Sequence, residues 1–172
     1  ISISVVHPDM LDMGWSFKTD FAGTTGDDLH GLDYLHQVYQ KAQPDISTSA
    51  TVPILWDKKT HTIVNNESSD IIRILNSAFN QITGNTQDYY PPALRAEIDS
   101  INEKIYHNIN NGVYRAGFAK TQEAYNEAVT RLFKTLDDID LHLEKKSYLV
   151  GDKLTEADIR LVPSLLRFDP VY

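Results

Sequence analysis

The sequence of 172 residues contains no cysteine. Disulfide bonds, thiolate metal ligands and a cysteine nucleophile are therefore excluded from this chain. No apolar run approaches the roughly 18 residues that a membrane-spanning helix needs. Basic residues are also scarce, with 16 lysines and arginines against 24 acidic residues and a formal net charge of −8. This balance argues against partners such as nucleic acid or an anionic membrane, because both attract a basic surface.

The composition is otherwise that of a folded protein. Hydrophobic residues make up 41% of the chain, which is enough to bury a core and does not indicate disorder. The length fits one domain or two small halves. Because the chain begins at Ile1 and not at a methionine, we expect an internal fragment whose targeting signals could lie upstream.

The first half of the chain predicts a small α/β unit. Residues 1–6 alternate isoleucine with serine before two valines, which predicts a strand. Apolar residues at helical spacing predict a helix over 27–42, ended by a proline. Residues 51–64 contain two β-rich runs around a polar turn and predict a hairpin. A second helix is predicted over 67–80.

The second half predicts only helices. The polar residues 81–90 are the best candidate for a linker, and we place the domain boundary between 1–84 and 85–172. A helix is predicted to start at Pro91-Pro92 and to run to Ile109 on a regular isoleucine stripe.

Beyond that stripe, Gly112 and Gly117 are predicted to bracket a break. A long helix is predicted over 121–144. A third is predicted to begin at the capping box formed by Thr155 and Asp158 and to run to about residue 167.

Most familiar catalytic patterns are missing. The six histidines form no pair with the spacing of a zinc protease, and there is neither a phosphate-binding glycine loop nor a Gly-x-Ser-x-Gly turn. Two backbone features remain. Val52-Pro53 opens a strand, where a cis bond would expose the Val52 backbone to a ligand, although an edge-strand proline is the simpler interpretation. Glu67-Ser68 precedes a helix that Ser68 or Ser69 could cap, or whose start could receive a charged ligand.

A third feature is a group of aromatic residues near the predicted break. Tyr114 lies between Gly112 and Gly117, with Phe118 close by. The Tyr114 phenol could donate a proton or a hydrogen bond in a pocket, or the ring could simply pack in the core.

Together and in this order, these features resemble the glutathione transferase superfamily, and within it the glutathionyl-hydroquinone reductases of the Xi class, which are omega-like. The similarity covers nearly the whole chain. In the first half it rests on His7-Pro8, Gly14-Trp15, Thr51-Val52-Pro53-Ile54-Leu55-Trp56-Asp57-Lys58 and Ile63-Val64-Asn65-Asn66-Glu67-Ser68. In the second half it rests on Asp88-Tyr89-Tyr90-Pro91-Pro92, Asn110-Asn111-Gly112-Val113-Tyr114-Arg115-Ala116-Gly117-Phe118-Ala119, Leu154-Thr155-Glu156-Ala157-Asp158-Ile159-Arg160 and Arg167-Phe168-Asp169-Pro170-Val171-Tyr172.

The resemblance implies a fold of the α/β plus all-α class. Residues 1–84 would form a thioredoxin-like, glutathione-binding domain without its first strand and helix. Residues 85–172 would form a helical, substrate-binding domain without its C-terminal part. The chain would thus be truncated at both ends.

The resemblance also implies how glutathione is held. Trp15 would pack on the tripeptide. Val52, before a cis Pro53, would pair its backbone with the cysteinyl part, and Glu67 and Ser68 would hold the γ-glutamyl end.

The loop residues Ser49, Ala50 and Thr51 would complete the glutathione site. Ser49-Ala50 stand where we expect a basic residue, which leaves the strength and identity of thiol binding open.

The implied reaction is reductive. A cysteine thiolate attacks the sulfur of a glutathionyl-hydroquinone, hydroquinone leaves, and a second glutathione resolves the mixed disulfide on the enzyme. Tyr114 would donate a proton to the aromatic ring of the substrate. Tyr172 would stabilise the thiolate through a hydrogen bond.

The nucleophile itself is absent from this chain. In the family it lies in a Cys-Pro-Trp motif that we expect upstream of Ile1, so we expect these residues to be inactive alone. The resemblance further implies glutathione as co-substrate, no metal, a homodimer and a cytoplasmic location. Two alternatives stay open: a non-catalytic glutathione-transferase-like binding module, and a transferase or dehalogenase that acts on another electrophile.

Overall fold

The computed structural model describes residues 1–10 and 12–172. The chain divides into two compact units, Ile1–Leu75 and Asn76–Tyr172. The first unit combines helices with a hairpin, and the second is helical. Within the described residues, no helix is both long and apolar enough to cross a bilayer.

The first unit is built around a hairpin and the helices on either side of it. Its elements are α1 (Leu35–Ala42), β1 (Leu55–Asp57), β2 (Thr62–Asn65) and α2 (Ser68–Ser77). The two strands are antiparallel, with Trp56 opposite Ile63. Asp57 closes the turn between them by accepting hydrogen bonds from the Lys59 and Thr60 N–H groups. The predicted hairpin is confirmed.

The core of this unit lies under α1. Phe17, Leu35, Val38 and Tyr39 are all buried, and side chains of the hairpin pack against them. The segment around Trp15 joins this core through its backbone, because the Leu35 N–H donates to the Trp15 carbonyl at 2.9 Å.

The predicted strand at 1–6 is wrong. No neighbouring strand pairs with it among the described residues, and Ile1 and Ile3 are 90% and 76% exposed. A strand needs a partner for its backbone groups, and within 1–10 and 12–172 the backbone of Val5 is hydrogen-bonded only to a loop residue, Thr25.

The predicted helix over 27–42 is only half correct, because α1 begins at Leu35. The Asp27 carboxylate accepts hydrogen bonds from the N–H groups of Leu29, His30 and Leu32. Such bonds hold the backbone in a turn that competes with a helix. Gly31 adopts φ +65°, which a residue with a side chain rarely does.

The second unit is a set of helices joined by short connections. They are α3 (Asn80–Thr83), a 3₁₀ turn (Pro92–Leu94), α4 (Arg95–Ile105), a π segment (Tyr106–Asn110), α5 (Gly112–Gly117), α6 (Gln122–Leu143), α7 (Glu156–Leu166) and α8 (Phe168–Val171). Its core contains Ile98, Ile105 and Ile109, each no more than 1% exposed. The isoleucine stripe that predicted the first long helix therefore faces inward.

A buried polar contact ties α4 to α7. The Asn102 Nδ2 donates to the Glu156 Oε1 at 2.9 Å, and both residues are 3% exposed. The Glu156 N–H in turn donates to the Tyr89 carbonyl at 2.8 Å. These bonds satisfy groups that would otherwise be costly to bury.

The capping box at the start of α7 is confirmed. The Asp158 carboxylate accepts from the Thr155 N–H at 2.9 Å and from the Thr155 hydroxyl at 3.0 Å. It also accepts from the Leu149 N–H at 2.8 Å, so it fastens the preceding loop as well.

Other details differ from the prediction. Gly112 and Gly117 do not bracket a break; they are the first and last residues of α5. The interruption is instead the π segment before it, whose i to i+5 hydrogen bonds still keep the chain helical. The predicted linker at 81–90 begins with the end of α3, which stops at Gly84 with φ 68°. The two compact units meet inside α2, between Leu75 and Asn76, and the assignment of residues 1–84 and 85–172 to two functional domains stays a prediction.

Candidate functional site

A buried tyrosine hydroxyl joins two loops of the first unit. The Tyr39 hydroxyl, carried on α1, donates to the Thr51 carbonyl at 2.9 Å and accepts from the Asn66 Nδ2 at 3.0 Å. The Thr51 N–H also reaches it, at 3.3 Å. The loop before the hairpin and the loop between β2 and α2 are therefore held against one side chain that is 4% exposed. We call Tyr39, Thr51 and Asn66 the loop clamp.

The residue after the loop clamp's Thr51 presents its backbone. Val52 is 42% exposed, and the Val52-Pro53 bond is cis, as the family resemblance implied. Within the described part of the chain, the Val52 backbone forms no hydrogen bond. Its N–H and C=O are therefore open to a peptide-like ligand.

The start of α2 presents polar groups of both signs. The Glu67 carboxylate accepts from the Ser69 N–H at 3.2 Å and from the hydroxyls of Ser68 and Ser69 at 3.3 and 3.2 Å. Glu67 thus caps the helix, because its carboxylate accepts from the Ser69 N–H in the first turn. The expectation that Ser68 or Ser69 caps it is wrong. The Ser68 N–H has no partner among the described residues.

The Glu67 backbone is itself held in place. Its N–H donates to the Asn65 Oδ1 at 2.7 Å, and the Asn65 Nδ2 donates to the Asp70 carboxylate at 3.1 Å. The end of β2 therefore fixes the approach to α2, which leaves the exposed Glu67 carboxylate and the Ser68 N–H side by side.

The other residues expected near glutathione lie in different surroundings. Trp15 and Ala50 are partly buried and pack against the core of the first unit. Ser49 and Pro53 are exposed. Contact of these four residues with a ligand stays a prediction.

Two phenols meet in the second unit. The Tyr172 hydroxyl donates to the Tyr114 hydroxyl at 3.3 Å, and the ring centroids lie 5.5 Å apart at an interplanar angle of 79°. Phe118 also stacks on Tyr114, with ring centroids 6.4 Å apart. Both tyrosines are roughly two-fifths exposed, at 43% and 40%. We call Tyr114 and Tyr172 the tyrosine pair.

The surroundings of the tyrosine pair keep Tyr172 protonated. Burial and the hydrogen bond with Tyr114 raise the pKa of Tyr172 to about 12, and the Arg167 guanidinium acts in the opposite direction. That guanidinium lies 5.2 Å from the centre of the Tyr172 ring. A phenol in this state donates a hydrogen bond at any ordinary pH.

Sequence reasoning missed three residues that shape these clusters. Tyr39 counted only as part of the apolar face of a helix, and Asn66 and Arg167 had no assigned role. One signal was present: a tyrosine on a buried helix face must find a partner for its hydroxyl.

Comparisons with known proteins agree with this picture. A family model described as the C-terminal domain of glutathione S-transferase matches residues 122–172. The glutathionyl-hydroquinone reductase YqjG of Escherichia coli is 54% identical over the whole chain, which covers 52% of that relative. PcpF of Sphingobium chlorophenolicum, also named a glutathionyl-hydroquinone reductase, is 54% identical over the whole chain and is covered to 55%. The chain thus spans about half the length of the curated relatives it matches.

Solved structures show the same similarity in three dimensions. The glutathione-bound structure of YqjG matches 98% of this chain and 55% of its own, with a TM-score of 0.95. Glutathione transferase Xi 1 of Trametes versicolor is 52% identical and matches 98% of this chain and 60% of its own, with a TM-score of 0.93. The expected fold class, a partial thioredoxin-like domain followed by a partial helical domain, is therefore confirmed.

Proposed function

We propose, from the premise that this chain belongs to the Xi class of the glutathione transferase superfamily, that it carries glutathione- and substrate-binding residues of a glutathionyl-hydroquinone reductase. The observation that carries the proposal is the tyrosine pair. A reductive removal of glutathione needs an acid that protonates the aromatic ring, and two hydrogen-bonded phenols supply one.

The first unit offers groups that suit glutathione. The open N–H and C=O of Val52 match the peptide group of the cysteinyl residue in an antiparallel pairing. At the start of α2, the Ser68 N–H, which has no partner among the described residues, suits the γ-glutamyl carboxylate, and the Glu67 carboxylate suits the ammonium group beside it. Two adjacent residues thus offer a hydrogen-bond donor for the carboxylate of the ligand and a negative charge for its ammonium group.

The loop clamp keeps these groups in register. Tyr39 fixes the residue before Val52 and the residue before Glu67 through a single hydroxyl. The loop that carries Val52 and the start of α2 at Glu67-Ser68 are therefore held in place before the ligand arrives, which lowers the entropy lost on binding. Trp15, Ser49, Ala50 and Pro53 complete the proposed glutathione site.

The proposed reaction begins with a thiolate. These 172 residues contain no cysteine, so the proposal places the nucleophile in another segment of the full-length protein. The thiolate attacks the sulfur of a glutathionyl-hydroquinone, a sulfur–sulfur bond forms and the carbon–sulfur bond breaks. The electron pair stays on the ring carbon, which takes a proton. A second glutathione thiolate then attacks the mixed disulfide, releasing oxidised glutathione and regenerating the enzyme thiolate.

Tyr114 is the proposed proton donor. When it gives up its proton, its oxygen becomes negative, and the Tyr172 hydroxyl already points at that oxygen from 3.3 Å. The Tyr172 hydroxyl can therefore donate a hydrogen bond to the phenolate oxygen that this step leaves on Tyr114. Tyr172 stays protonated throughout, because its own pKa is raised.

Replacement of Tyr114 by phenylalanine in the full-length protein tests the proposal. Removing a general acid lowers the rate of the chemical step by about 10²- to 10⁴-fold. We therefore expect the release of hydroquinone from a glutathionyl-hydroquinone to slow by this factor in stopped-flow measurements, while the Kd for glutathione stays within about twofold. Tyr125→Phe on α6 is the matched control, since the hydroxyl of this 45% exposed tyrosine has no partner among the described residues. Unchanged hydroquinone release in Tyr114→Phe would show that the phenol is not the acid.

The proposal extends to the organisation of the whole protein. Residues 1–84 would act as the glutathione-binding domain and 85–172 as the substrate-binding domain. The protein would be a cytoplasmic homodimer that uses a quinone-derived substrate and no metal. Sedimentation velocity of the full-length protein checks the dimer, and turnover after dialysis against a chelator checks the absence of a metal requirement.

A further inference from the structure

An asparagine at the end of the π segment holds α7. The Asn110 Nδ2 donates to the Ser164 hydroxyl at 2.7 Å and to the Arg160 carbonyl at 3.2 Å. Ser164 is 6% exposed and Asn110 is partly buried, so water competes little for these bonds. We call Asn110 and Ser164 the helix tie.

The helix tie stands just before both members of the tyrosine pair. Asn110 ends the π segment, and the next helix, α5, carries Tyr114 one turn further on. Ser164 lies near the end of α7, and the next helix, α8, leads directly to Tyr172. A bond between the two segments therefore acts on the distance between the two phenols.

Both segments have backbones that need such support. Pro163 lies inside α7 and has no N–H, so the hydrogen bond that would reach back to the Ile159 carbonyl is missing. Helices bend readily at such a residue. The helix tie grips α7 at this point, through the neighbouring Ser164 and through Arg160 one turn earlier.

The π segment sets the direction in which α5 leaves. It replaces i to i+4 hydrogen bonds by i to i+5 bonds, which inserts an extra residue into the turn and rotates α5 relative to its direction in an unbroken α-helix. The Asn111 N–H, for example, donates to the Tyr106 carbonyl at 2.9 Å. Since wider turns of this kind are uncommon, a side-chain anchor on a neighbouring helix helps to hold this one.

We propose that Asn110 is a positioning residue, which through Ser164 fixes the π segment on α7 and so holds the phenols of Tyr114 and Tyr172 within hydrogen-bonding distance. The inference rests on the proposed function for its importance to turnover. It does not depend on that function for its structural content, which concerns only the contact between the two phenols.

Ser164→Ala and Asn110→Ala in the full-length protein test the proposal, with Asn108→Ala as the control. Asn108 lies in the same π segment, but its side chain has no partner among the described residues. The first readout is the titration of Tyr172, followed by NMR of tyrosines labelled with ¹³C at Cζ and assigned with Tyr172→Phe. Tyr114 and Arg167 are the titratable groups that face Tyr172, and none of these variants alters them.

The expected result is a Tyr172 resonance that titrates at lower pH, nearer the ordinary value of a tyrosine, in both helix-tie variants and not in Asn108→Ala. Turnover of a glutathionyl-hydroquinone should fall on the order of ten- to a hundredfold, as expected for a small displacement of a catalytic group. The Kd for glutathione should be unchanged. A purely structural role would instead lower stability and leave the titration of Tyr172 in place.

The outcomes are separable. If the titration of Tyr172 is the same in Ser164→Ala, Asn110→Ala and the unmodified protein, the helix tie does not position the pair and the inference is wrong. If the unmodified full-length protein does not release hydroquinone from its glutathione conjugate, the proposed function fails, whereas the NMR result still decides the inference. Should Asn110→Ala not fold, Ser164→Ala carries the test alone, because it removes one buried oxygen and keeps the backbone unchanged.

Discussion

The loop clamp gives the sharpest prediction about glutathione binding, through the substitution Tyr39→Phe. This change removes a single oxygen from a ring that is 4% exposed and leaves the packing of the ring unchanged. The oxygen lost is the one that donates to the Thr51 carbonyl at 2.9 Å and accepts from the Asn66 Nδ2 at 3.0 Å. Both loops that are proposed to present groups to glutathione lose their common anchor.

The size of the effect can be worked out from the bonds removed. A hydrogen bond of this kind contributes about 1 kcal/mol net, so the loss of the two shorter ones costs roughly 1–2 kcal/mol, the lower value applying if water replaces Tyr39 at the exposed Thr51. The longer bond from the Thr51 N–H, at 3.3 Å, is lost with them. If binding of glutathione must then order the two loops at this cost in free energy, the Kd for glutathione rises by about 5- to 30-fold.

Isothermal titration calorimetry of the full-length protein measures this change. Tyr34→Phe is the matched control: Tyr34 precedes the same helix and stacks on His36, but its hydroxyl takes no part in the hydrogen bonds that join Thr51 and Asn66 to Tyr39. A lower free energy of unfolding with an unchanged Kd would show that Tyr39 supports the fold and not the binding loops. No change in either quantity in Tyr39→Phe would refute the account of the loop clamp.

Two further predictions concern the second unit. Asp158→Ala should lower the free energy of unfolding of the full-length protein by about 3–5 kcal/mol, because it leaves the N–H groups of Leu149 and Thr155 buried without a partner; denaturant titration checks this, and the same loss in the exposed control Asp137→Ala would contradict it. The phenol of Tyr172 has a pKa raised to about 12, from an ordinary value near 10. Between these values the unfolded chain releases a proton that the folded chain retains, so the stabilisation is complete below pH 10 and is lost as pH rises towards 12. Unfolding measured at pH 9, 10 and 11 should therefore show a steeper decline in the unmodified protein than in Tyr172→Phe, and parallel declines would speak against the raised pKa.

Features with a local signal could be predicted from the sequence. A polar turn between two β-rich runs predicts the hairpin, and the Asp57 carboxylate closes that turn by accepting from two N–H groups. The start of α7 is announced by Thr155 and Asp158 at capping-box spacing. In both cases the deciding hydrogen bonds join residues only a few positions apart, so the donor and the acceptor both lie within the sequence pattern.

Features that depend on distant partners could not be predicted in this way. The alternating residues 1–6 have the pattern of a strand, but a strand forms only where a neighbour pairs with it. The Tyr39 hydroxyl is hydrogen-bonded to Thr51 and Asn66, which lie 12 and 27 residues away in the sequence. Hydrophobic periodicity predicts that the Tyr39 ring is buried but does not predict the partners of its hydroxyl. The cis bond before Pro53 was expected from the family resemblance alone, since a proline by itself seldom implies it.

The π segment escaped prediction for a different reason. Ile105 directly precedes the π segment and Ile109 lies inside it, and their spacing of four residues also fits an α-helix. Both are buried, so the hydrophobic pattern is satisfied by either hydrogen-bonding scheme. The π segment also contacts α7 through Asn110, and no local pattern contains that partner.

The π segment has a consequence for changes in the length of this chain. A residue deleted from an exposed connection such as 84–88 shortens a loop at little cost in free energy. A residue deleted from Tyr106–Asn110 would convert the wide turn into an ordinary α-helical one and leave the direction of α5 nearly unchanged, because five residues of a π turn rotate the chain about as far as four residues of an α-helix. Tyr114 would then stay on the side on which Tyr172 lies. The π segment thus takes up one residue within a single turn and preserves the direction of the helix that follows.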